Sequence, residues 1–256
     1  MPDTALLDQT RSLIRQARSI VVLSGAGMSA ESGIATFRQA STGLWSRYSP
    51  QDLATPEAWR NDPALVWGWY LWRMAAVRAA QPNAGHLALA KAAESRPLVV
   101  VTQNVDDLHE RAGSREVLHL HGELFAHRCF ACARRCSEVP IPAADDEPAH
   151  VDPPRCTHCG GRIRPGVVWF GENLPEAPFR AAVEASQSCD LMLVVGTAGV
   201  VHPAAALPSL ARQHGASIVE INPQQTELSA LADVCLRGGA AQVLPKLFDA
   251  SPEQLG

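Results

Sequence analysis

The chain has few charged residues and no surplus of one sign. Its 256 residues include 22 Lys and Arg against 26 Asp and Glu, which gives a net charge of −4 with nine His counted as neutral. A protein that binds nucleic acid through its phosphates needs an excess of positive charge, so that class is not expected. Charged residues, at 19%, are also too few and apolar residues, at 46%, too many for a disordered chain.

Apolar runs of membrane-spanning length are also lacking. The most apolar stretch, residues 191–211, contains His202 and two prolines, which favours a strand, a loop and a buried helix over a transmembrane segment. The first residues show no basic segment followed by an apolar one, so we expect no signal peptide. No membrane partner is expected.

The cysteine pattern does not suit a disulfide framework. The count of seven is odd, and four of the seven form two Cys-x-x-Cys pairs, Cys129 with Cys132 and Cys156 with Cys159. Such pairs are typical of a reducing compartment and of a metal site, so we expect a cytoplasmic protein. Four thiolates complete a tetrahedral shell with no place for water, which predicts a structural Zn²⁺. Cys136 could replace one ligand, but its spacing fits less well.

Short β-branched runs alternate with helical patterns along most of the chain. Helical spacing of apolar residues predicts helices over residues 3–18, 86–94 and 176–186. Buried strands are predicted at residues 19–23, 98–101, 117–118, 167–170, 191–195 and 218–221. Continuous apolar strands separated by helices predict an α/β fold with a parallel sheet covered on both faces.

Several of these strands run into small or polar residues. The four endings are Ser24-Gly25, Thr102-Gln103-Asn104, Gly196-Thr197 and Asn222-Pro223. In an open parallel sheet, ligands bind beyond the carboxyl ends of the strands. Any one of these loops is explained by the usual polarity of strand-to-helix loops, but the four together predict a ligand crevice.

The first of these loops carries a glycine-rich turn. Residues 25–30 read Gly-Ala-Gly-Met-Ser-Ala, which matches G-x-G-x-x-G/A between a strand and a helix. In this motif the first glycine permits a tight turn and the second lets the backbone approach a pyrophosphate. The turn therefore predicts a dinucleotide site, although a purely structural turn would have the same sequence.

The acidic residue that binds the adenine ribose in dehydrogenases is missing. It is expected about 20 residues after the glycines, at the end of a second strand. Residues 43–47 contain neither an acid nor a strand pattern. Glu220 or Asn222 would have to contact the ribose instead, so hydride transfer is not the expected chemistry.

Two segments interrupt the alternation of strands and helices. Residues 38–81 are helical and rich in Trp and Tyr, and residues 126–164 hold five of the seven cysteines. Arginines and acids nearly balance in the second segment, which argues against a nucleic-acid surface there. We expect a discontinuous Rossmann-like domain of residues 1–37, 85–125 and 165–256, and an inserted small domain of a helical module, 38–84, and a zinc module, 126–164.

The motifs occur in an order that is similar to that of one family. They are segments 25–38 (GAGMSAESGIATFR), 102–106 (TQNVD) and 121–122 (HG), the two cysteine pairs, and segments 168–172 (VWFGE) and 196–197 (GT). From about Ser19 to Ala241 this ordered set closely resembles the sirtuins, which are NAD-dependent protein-lysine deacylases. The Tyr70-x-x-Arg73 pattern resembles the sirtuin subclass that removes succinyl, malonyl or glutaryl groups.

The resemblance implies a large Rossmann-like domain and a small domain, with NAD and an acyl-lysine peptide or protein entering the cleft between them from opposite sides. The cofactor contacts that it implies are Gly25, Ala26, Gly27, Phe37, Arg38, Gln103, Asn104, Asp106, Gly196, Thr197, Ala198, Asn222, Cys235 and Ala240. The substrate contacts that it implies are Tyr70, Arg73, Val168, Phe170, Gly171 and Glu172. Of these, residues 170–172 would form a strand edge that pairs with the peptide.

The chemistry of the sirtuins implies that His121 is the general base. The acyl oxygen attacks C1′ of the ribose and nicotinamide leaves. His121 then takes a proton from a ribose hydroxyl, which attacks the bound acyl carbon and yields 2′-O-acyl-ADP-ribose. A histidine suits this step because its unperturbed pKa of about 6.5 leaves it mostly neutral near pH 7.

Tyr70 and Arg73 are three residues apart and would share one face of a helix. An arginine can hold a carboxylate with two parallel hydrogen bonds, and a tyrosine hydroxyl can add a third. This pair therefore predicts a site for an acyl group that ends in a carboxylate. The alternative is an aromatic-rich helix that only packs, with Arg73 on its exposed side.

Three other functions stay open on the sequence alone. They are a Rossmann oxidoreductase with a structural zinc, an NAD-dependent protein ADP-ribosyltransferase and a non-catalytic, zinc-stapled peptide-binding module. Ala35, Ala198 and His202 also depart from the pattern usual in sirtuins, which bears on NAD affinity more than on reaction type.

Overall fold

A computed structural model describes residues 3–35, 48, 53–136, 139 and 150–248. Its helices are α1 (Thr4–Gln16), α2 (Gly27–Ala30), α3 (Pro56–Asn61), α4 (Pro63–Ala79), α5 (Ala84–Ala92), α6 (Leu108–Arg111), α7 (Glu176–Ser188), α8 (Leu207–Gln213) and α9 (Ala240–Phe248). Its strands are β1 (Ile20–Ser24), β2 (Leu98–Thr102), β3 (Val117–His119), β4 (Gly122–Cys129), β5 (Ile163–Val167), β6 (Leu191–Val195), β7 (Ser217–Ile221) and β8 (Val234–Leu236). Within the described ranges, no helix is both long and apolar enough to cross a bilayer.

The chain forms two compact units, each assembled from separate stretches of sequence. Unit 1 comprises Met1–Thr36, Pro82–Leu120 and Glu176–Gly256, and unit 2 comprises Phe37–Gln81 and His121–Pro175. Residues 121–125 and 165–175, which we assigned to the Rossmann-like domain from the sequence, thus group with the zinc module. The reason is that β4 and β5 run through both segments and pair with each other.

Unit 1 contains the predicted parallel sheet. Six strands lie in the order β3-β2-β1-β6-β7-β8, and every neighbouring pair is parallel. All five residues of β1 and all five of β6 are buried, as expected for central strands covered on both faces. The α/β prediction is confirmed.

The first helix shows how the sequence builds the cover of this sheet. The Asp3 side chain accepts a hydrogen bond from the Ala5 N–H and so caps α1. Leu7, Thr10 and Ile14 follow at intervals of three and four and form its buried face. The predicted helices over residues 3–18, 86–94 and 176–186 are present as α1, α5 and α7.

Unit 2 combines helices α3 and α4 with the antiparallel pair β4-β5. Asp62 caps α4 by accepting from the Leu65 N–H, and Pro63 occupies the first turn, where it costs no hydrogen bond. Large aromatic side chains supply much of the core, because Trp59, Trp67 and Trp169 are each at most 2% exposed. Such side chains bury large apolar areas in a small volume of structure.

The strand predicted at residues 167–170 is wrong. β5 ends at Val167 and pairs with β4 rather than with the parallel sheet. Beyond it the chain turns, since the Glu172 N–H donates to the Trp169 carbonyl and Gly171 has a φ of +85°. The apolar run Val167-Val168-Trp169-Phe170 therefore does not mark a strand, and its burial is uneven, since Trp169 is 1% exposed and Phe170 is 43% exposed.

Candidate functional site

The polar ends of four parallel strands meet in unit 1, as predicted. The Gln103 N–H donates to the Ser24 carbonyl, and the Gln103 amide donates to Thr197 Oγ1 at 2.9 Å. The Asn222 amide donates to the Thr197 carbonyl at 3.1 Å. The first bond joins the ends of β1 and β2. The two bonds to Thr197, which follows β6, join that loop to the ends of β2 and β7.

The glycine-rich turn is pressed against the loop after β6. The Gly27 N–H donates to the Gly196 carbonyl at 2.8 Å. A Cβ on Gly27 would lie 2.7 Å from Gly196 Cα, and one on Gly25 would lie 2.8 Å from Thr197 Cβ. Gly196 has a φ of +61°, and its own Cβ would lie 2.5 Å from the Gly27 carbonyl carbon. These glycines are required by contact between two loops, and the bare backbone that results also suits the approach of a dinucleotide phosphate.

Asn104 and Asp106 lie beside this turn and are buried. The Ser29 hydroxyl donates to Asp106 Oδ2 at 3.0 Å and accepts from the Asn104 amide at 3.1 Å. Burial raises the pKa of the Asp106 carboxyl, and hydrogen bonds from Leu108 N–H and Ser29 offset part of this effect. Ser29 is not among the predicted site residues, although its position inside the glycine motif places it next to them in the sequence.

The remaining predicted cofactor contacts occupy the same unit. Ala198 follows Thr197, Cys235 lies on β8 opposite Glu220, and Ala240 begins α9. Phe37 and Arg38 lie outside the described residues. The Glu220 side chain is 1% exposed and accepts hydrogen bonds from Thr226, Ser229 and Arg237.

Among the histidines near the strand ends, two have structural hydrogen bonds. His119 Nδ1 lies 3.0 Å from the Asn104 carbonyl and its Nε2 lies 2.7 Å from Glu110. His109 is 1% exposed, its Nε2 lies 3.0 Å from Ser24 Oγ, and burial lowers its pKa to about 3. Both rings therefore serve the packing of unit 1.

His121 belongs to unit 2 and is only partly buried. Its carbonyl accepts a hydrogen bond from the Val168 N–H at 2.8 Å. Gly122 follows with a φ of +73°, so the chain turns immediately after His121 and enters β4. The predicted base is thus joined through the backbone to the first residue of the predicted peptide-binding segment.

The two Cys-x-x-Cys pairs converge on one point, as predicted. The Sγ atoms of Cys129, Cys132, Cys156 and Cys159 all lie within 4.8 Å of one another. Two of their separations are 3.5 Å (Cys129 to Cys159) and 3.9 Å (Cys132 to Cys156). A tetrahedral zinc with Zn–S bonds of about 2.3 Å needs separations of about 3.8 Å, so the four thiols fit this ion.

Backbone groups lower the pKa of two of the four thiols, one in each Cys-x-x-Cys pair. Although burial opposes the effect, N–H groups of Cys132 and Ala131 bond to the Cys129 thiol and lower its pKa. Two further N–H groups, those of Cys159 and His158, lower the pKa of Cys156 to about 6. Since the thiolate is the form that binds metal, both loops favour zinc.

Tyr70 and Arg73 both lie on α4, in unit 2. Tyr70 is 2% exposed, and burial raises the pKa of its hydroxyl to about 12, although the nearby Arg73 charge opposes the shift. The Arg73 guanidinium lies over the Trp69 ring, 4.9 Å from its centroid. The pair therefore offers a neutral phenol and a cation from the same helix.

Residues 170–172, the predicted peptide edge, lie in a turn of residues 168–172 instead of a strand. The Val168 and Phe170 N–H groups donate to the carbonyls of His121 and Ala54, and the Trp169 N–H donates to the Glu172 carboxylate. Glu172 is also held by Arg164. Arg164 is 2% exposed, and nothing in the local spacing of the sequence predicts a buried arginine at this position.

Comparison with known proteins gives the family. The model of the Sir2 family matches residues 25–203, well over half of the chain. The chain belongs to the Sir2 family. Its predicted resemblance to the sirtuins is thereby confirmed, and the arrangement of strand ends and cysteines described above is that of a Sir2-family protein.

Similar proteins extend over nearly the full length of this Sir2-family chain. The NAD-dependent protein deacylase 1 of Pseudomonas aeruginosa is 55% identical, over 92% of this chain and 95% of the relative. The NAD-dependent protein deacylase of Mycolicibacterium paratuberculosis is 52% identical, over 92% and 99%.

Solved structures are similar to the same extent. A Sir2 homologue in complex with NAD has a TM-score of 0.85 and 45% identity, over 96% of this chain and 92% of that one. A Sir2 structure with a p53 peptide and NAD⁺ has a TM-score of 0.81 and 30% identity, over 94% and 96%.

Proposed function

We propose that this protein removes succinyl, malonyl and acetyl groups from protein lysines and that it favours acyl groups ending in a carboxylate. The broader activity, NAD-dependent protein deacylation, follows from membership of the Sir2 family and from relatives at 50–55% identity that carry this name. The acyl preference rests on one observation, the placement of Tyr70 and Arg73 together on α4.

The chemistry of these two side chains suits a carboxylate. A carboxylate only accepts hydrogen bonds, whereas the guanidinium of Arg73 and the protonated hydroxyl of Tyr70 both have hydrogens to donate. Charge-assisted bonds of this type are stronger than neutral ones. Because Tyr70 is buried, a carboxylate that reaches its hydroxyl loses water, which strengthens the attraction to Arg73.

We assign the general base to His121. Its imidazole would take a proton from the ribose hydroxyl that receives the acyl group, and NAD as co-substrate supplies this ribose. Cleavage of the amide C–N bond would release the free lysine, one solvent water would add to the acyl carbon, and the other products would be nicotinamide and 2′-O-acyl-ADP-ribose. The bond between the His121 carbonyl and Val168 supports this role, since it ties the base to the segment proposed to hold the peptide.

Unit 1 is the proposed NAD-binding domain. Its contacts would come from Gly25, Ala26, Gly27, Gln103, Asn104, Asp106, Gly196, Thr197, Ala198, Asn222, Cys235 and Ala240. The resemblance to the sirtuins adds Phe37 and Arg38, which belong to unit 2. The zinc held by the four cysteines would cross-link the end of β4 to the loop before β5 and take no part in the reaction. The zinc thiolates favour a reducing compartment, which supports a cytoplasmic location.

One peptide sequence carrying acetyl-, succinyl- or malonyl-lysine tests the proposal. With NAD, we expect mass spectrometry to show loss of each acyl group and formation of the matching acyl-ADP-ribose, with kcat/KM higher for the two acidic groups. Without NAD, or with His121→Ala, all three peptides should stay modified. A preference for acetyl-lysine would contradict the carboxylate site. If NAD labelled in its ADP-ribose part transferred that label to protein, the activity would be ADP-ribosyl transfer instead.

A further inference from the structure

Trp169 connects the turn at residues 168–172 to helix α4. Its side chain is 1% exposed, and its indole N–H donates to the Tyr70 hydroxyl oxygen at 2.8 Å. Trp59 and Phe130 pack around it, with ring centroids 5.5 and 6.2 Å away. The indole N–H thus donates to Tyr70 from within a cluster of aromatic rings.

The position of the indole is set by an ion pair whose arginine is buried. Arg164 binds Glu172 with two nitrogens, at 2.5 and 3.0 Å, and its guanidinium carbon lies 3.2 Å from the centroid of the Trp169 ring. The same Glu172 carboxylate accepts the Trp169 backbone N–H at 2.9 Å. Because both the ring and the backbone of Trp169 are held, the indole N–H has a fixed direction.

This fixed N–H determines what the Tyr70 hydroxyl can do. An indole N–H is a donor only, so it occupies a lone pair of the phenol oxygen and cannot receive the phenol hydrogen. With a pKa of about 12, the hydroxyl keeps that hydrogen at neutral pH. The hydrogen must therefore point away from Trp169 and is available to another acceptor.

We propose that Trp169 is a positioning residue for acyl selectivity, which orients the Tyr70 hydroxyl as a hydrogen-bond donor to the carboxylate of the acyl group. The inference rests on the proposed function, because only an acyl carboxylate gives this donor an acceptor. An acetyl group has no such acceptor beyond its amide, so its removal does not depend on the direction of the Tyr70 hydrogen.

The test is Trp169→Phe, which keeps an aromatic ring against Arg164 and removes the N–H. We expect the ratio of kcat/KM for succinyl-lysine to that for acetyl-lysine, on one peptide sequence, to fall about fivefold, the factor of one neutral hydrogen bond. Both activities are measured on the same sample, so a partly unfolded variant loses both and keeps the ratio. Trp59→Phe removes the same atoms from the same cluster and should change the ratio by less than about twofold.

A second background separates orientation of Tyr70 from general packing. In Tyr70→Phe protein, Trp169→Phe should lower the ratio no further, because the hydroxyl that it orients is gone. An equal fall in both backgrounds overturns the inference. A ratio that falls in Arg73→Met but not in Trp169→Phe overturns the role of Trp169 alone, and an unchanged ratio in Arg73→Met overturns the proposed carboxylate site and this inference with it.

Discussion

Arg73 is the residue whose replacement best separates the acyl groups. Arg73→Met keeps most of the side-chain volume over Trp69 and removes the charge. We expect desuccinylation to lose about 1.5–3 kcal/mol of transition-state stabilisation, the range for hydrogen bonds to charged groups, which is about 10- to 150-fold in kcat/KM. Deacetylation should persist, and steady-state kinetics with both peptides checks this.

Arg78 provides the matched control on the same helix. It is exposed and lies over Phe125, 5.6 Å from the ring centroid, so Arg78→Met removes an equal charge from α4. We expect this variant to leave the ratio of the two activities unchanged. Equal losses of both activities in Arg73→Met would show that the residue supports the fold and not the carboxylate.

Single residues could be predicted where the relevant spacing is local. The Cys-x-x-Cys pairs and Tyr70-x-x-Arg73 are both of this kind, because their geometry follows from a knuckle or a helical turn. The bond between Trp169 and Tyr70 joins residues 99 positions apart, and that between Ser29 and Asp106 joins residues 77 apart. Such pairs depend on how elements pack, which no local pattern contains.

At the level of elements, the contact between the glycine-rich turn and the loop after β6 can be tested with Gly196→Ala. The positive φ costs about 1–2 kcal/mol for a residue with a Cβ. Overlap with the Gly27 backbone adds about 1–3 kcal/mol, the usual cost of overpacking. We expect the free energy of unfolding, measured by urea denaturation, to fall by the sum of these two costs. The KM for NAD, measured by steady-state kinetics, should rise.

Gly215 isolates the first of these two costs. It has a φ of +95°, but a Cβ there would have nothing within 4 Å. Gly215→Ala should therefore lose only the conformational part and keep the KM for NAD. If both variants lose the same stability, close approach of Gly27 and Gly196 is not what requires glycine.

Elements were predictable where burial and periodicity agree. The helix of residues 3–18 and the central strands have one consistent pattern each, and both are present as α1 and as β1, β2 and β6. Residues 167–170 have the composition of a strand but form a turn, in which Phe170 is 43% exposed and the hydrogen bonds are made with Glu172 and with distant carbonyls. A short apolar run cannot distinguish these two cases.

At the level of the whole molecule, removal of zinc should affect the two units differently. The four thiols lie in unit 2, whereas unit 1 has an apolar core of its own that includes Val22, Val100 and Leu193. We expect a chelator to abolish deacylation and to expose the amides of β4 and β5 to hydrogen exchange, while β1, β2 and β6 stay protected. Exchange measured by mass spectrometry, with and without chelator, reports both units at once.

One cysteine of the cluster and one outside it supply the comparison. Cys132→Ser should lose zinc and show the chelator pattern without chelator. Cys235→Ser leaves the four ligands in place and should retain zinc. Uniform loss of protection across both units would mean that the metal supports the whole fold and not unit 2 alone.

Domain organisation was harder to predict than the class of fold. Alternation of strands and helices identified the parallel sheet, and the two insertions were visible from their aromatic and cysteine content. The residues at which the insertions begin and end could not be predicted, because β4 runs from Gly122 to Cys129 without a change of composition. Only its pairing with β5 assigns residues 121–125 to unit 2.

The order of strands in the sheet has a consequence for synthesis on the ribosome. β1 emerges early, but one of its two neighbours, β6, begins at Leu191, after all four zinc ligands have left the exit tunnel. Until then one edge of β1 has no partner for its backbone N–H and C=O groups, and four of its five side chains are apolar, which together make the kind of surface that aggregates or recruits chaperones. The metal-binding unit, by contrast, has its full sequence available by Pro175 and can mature first.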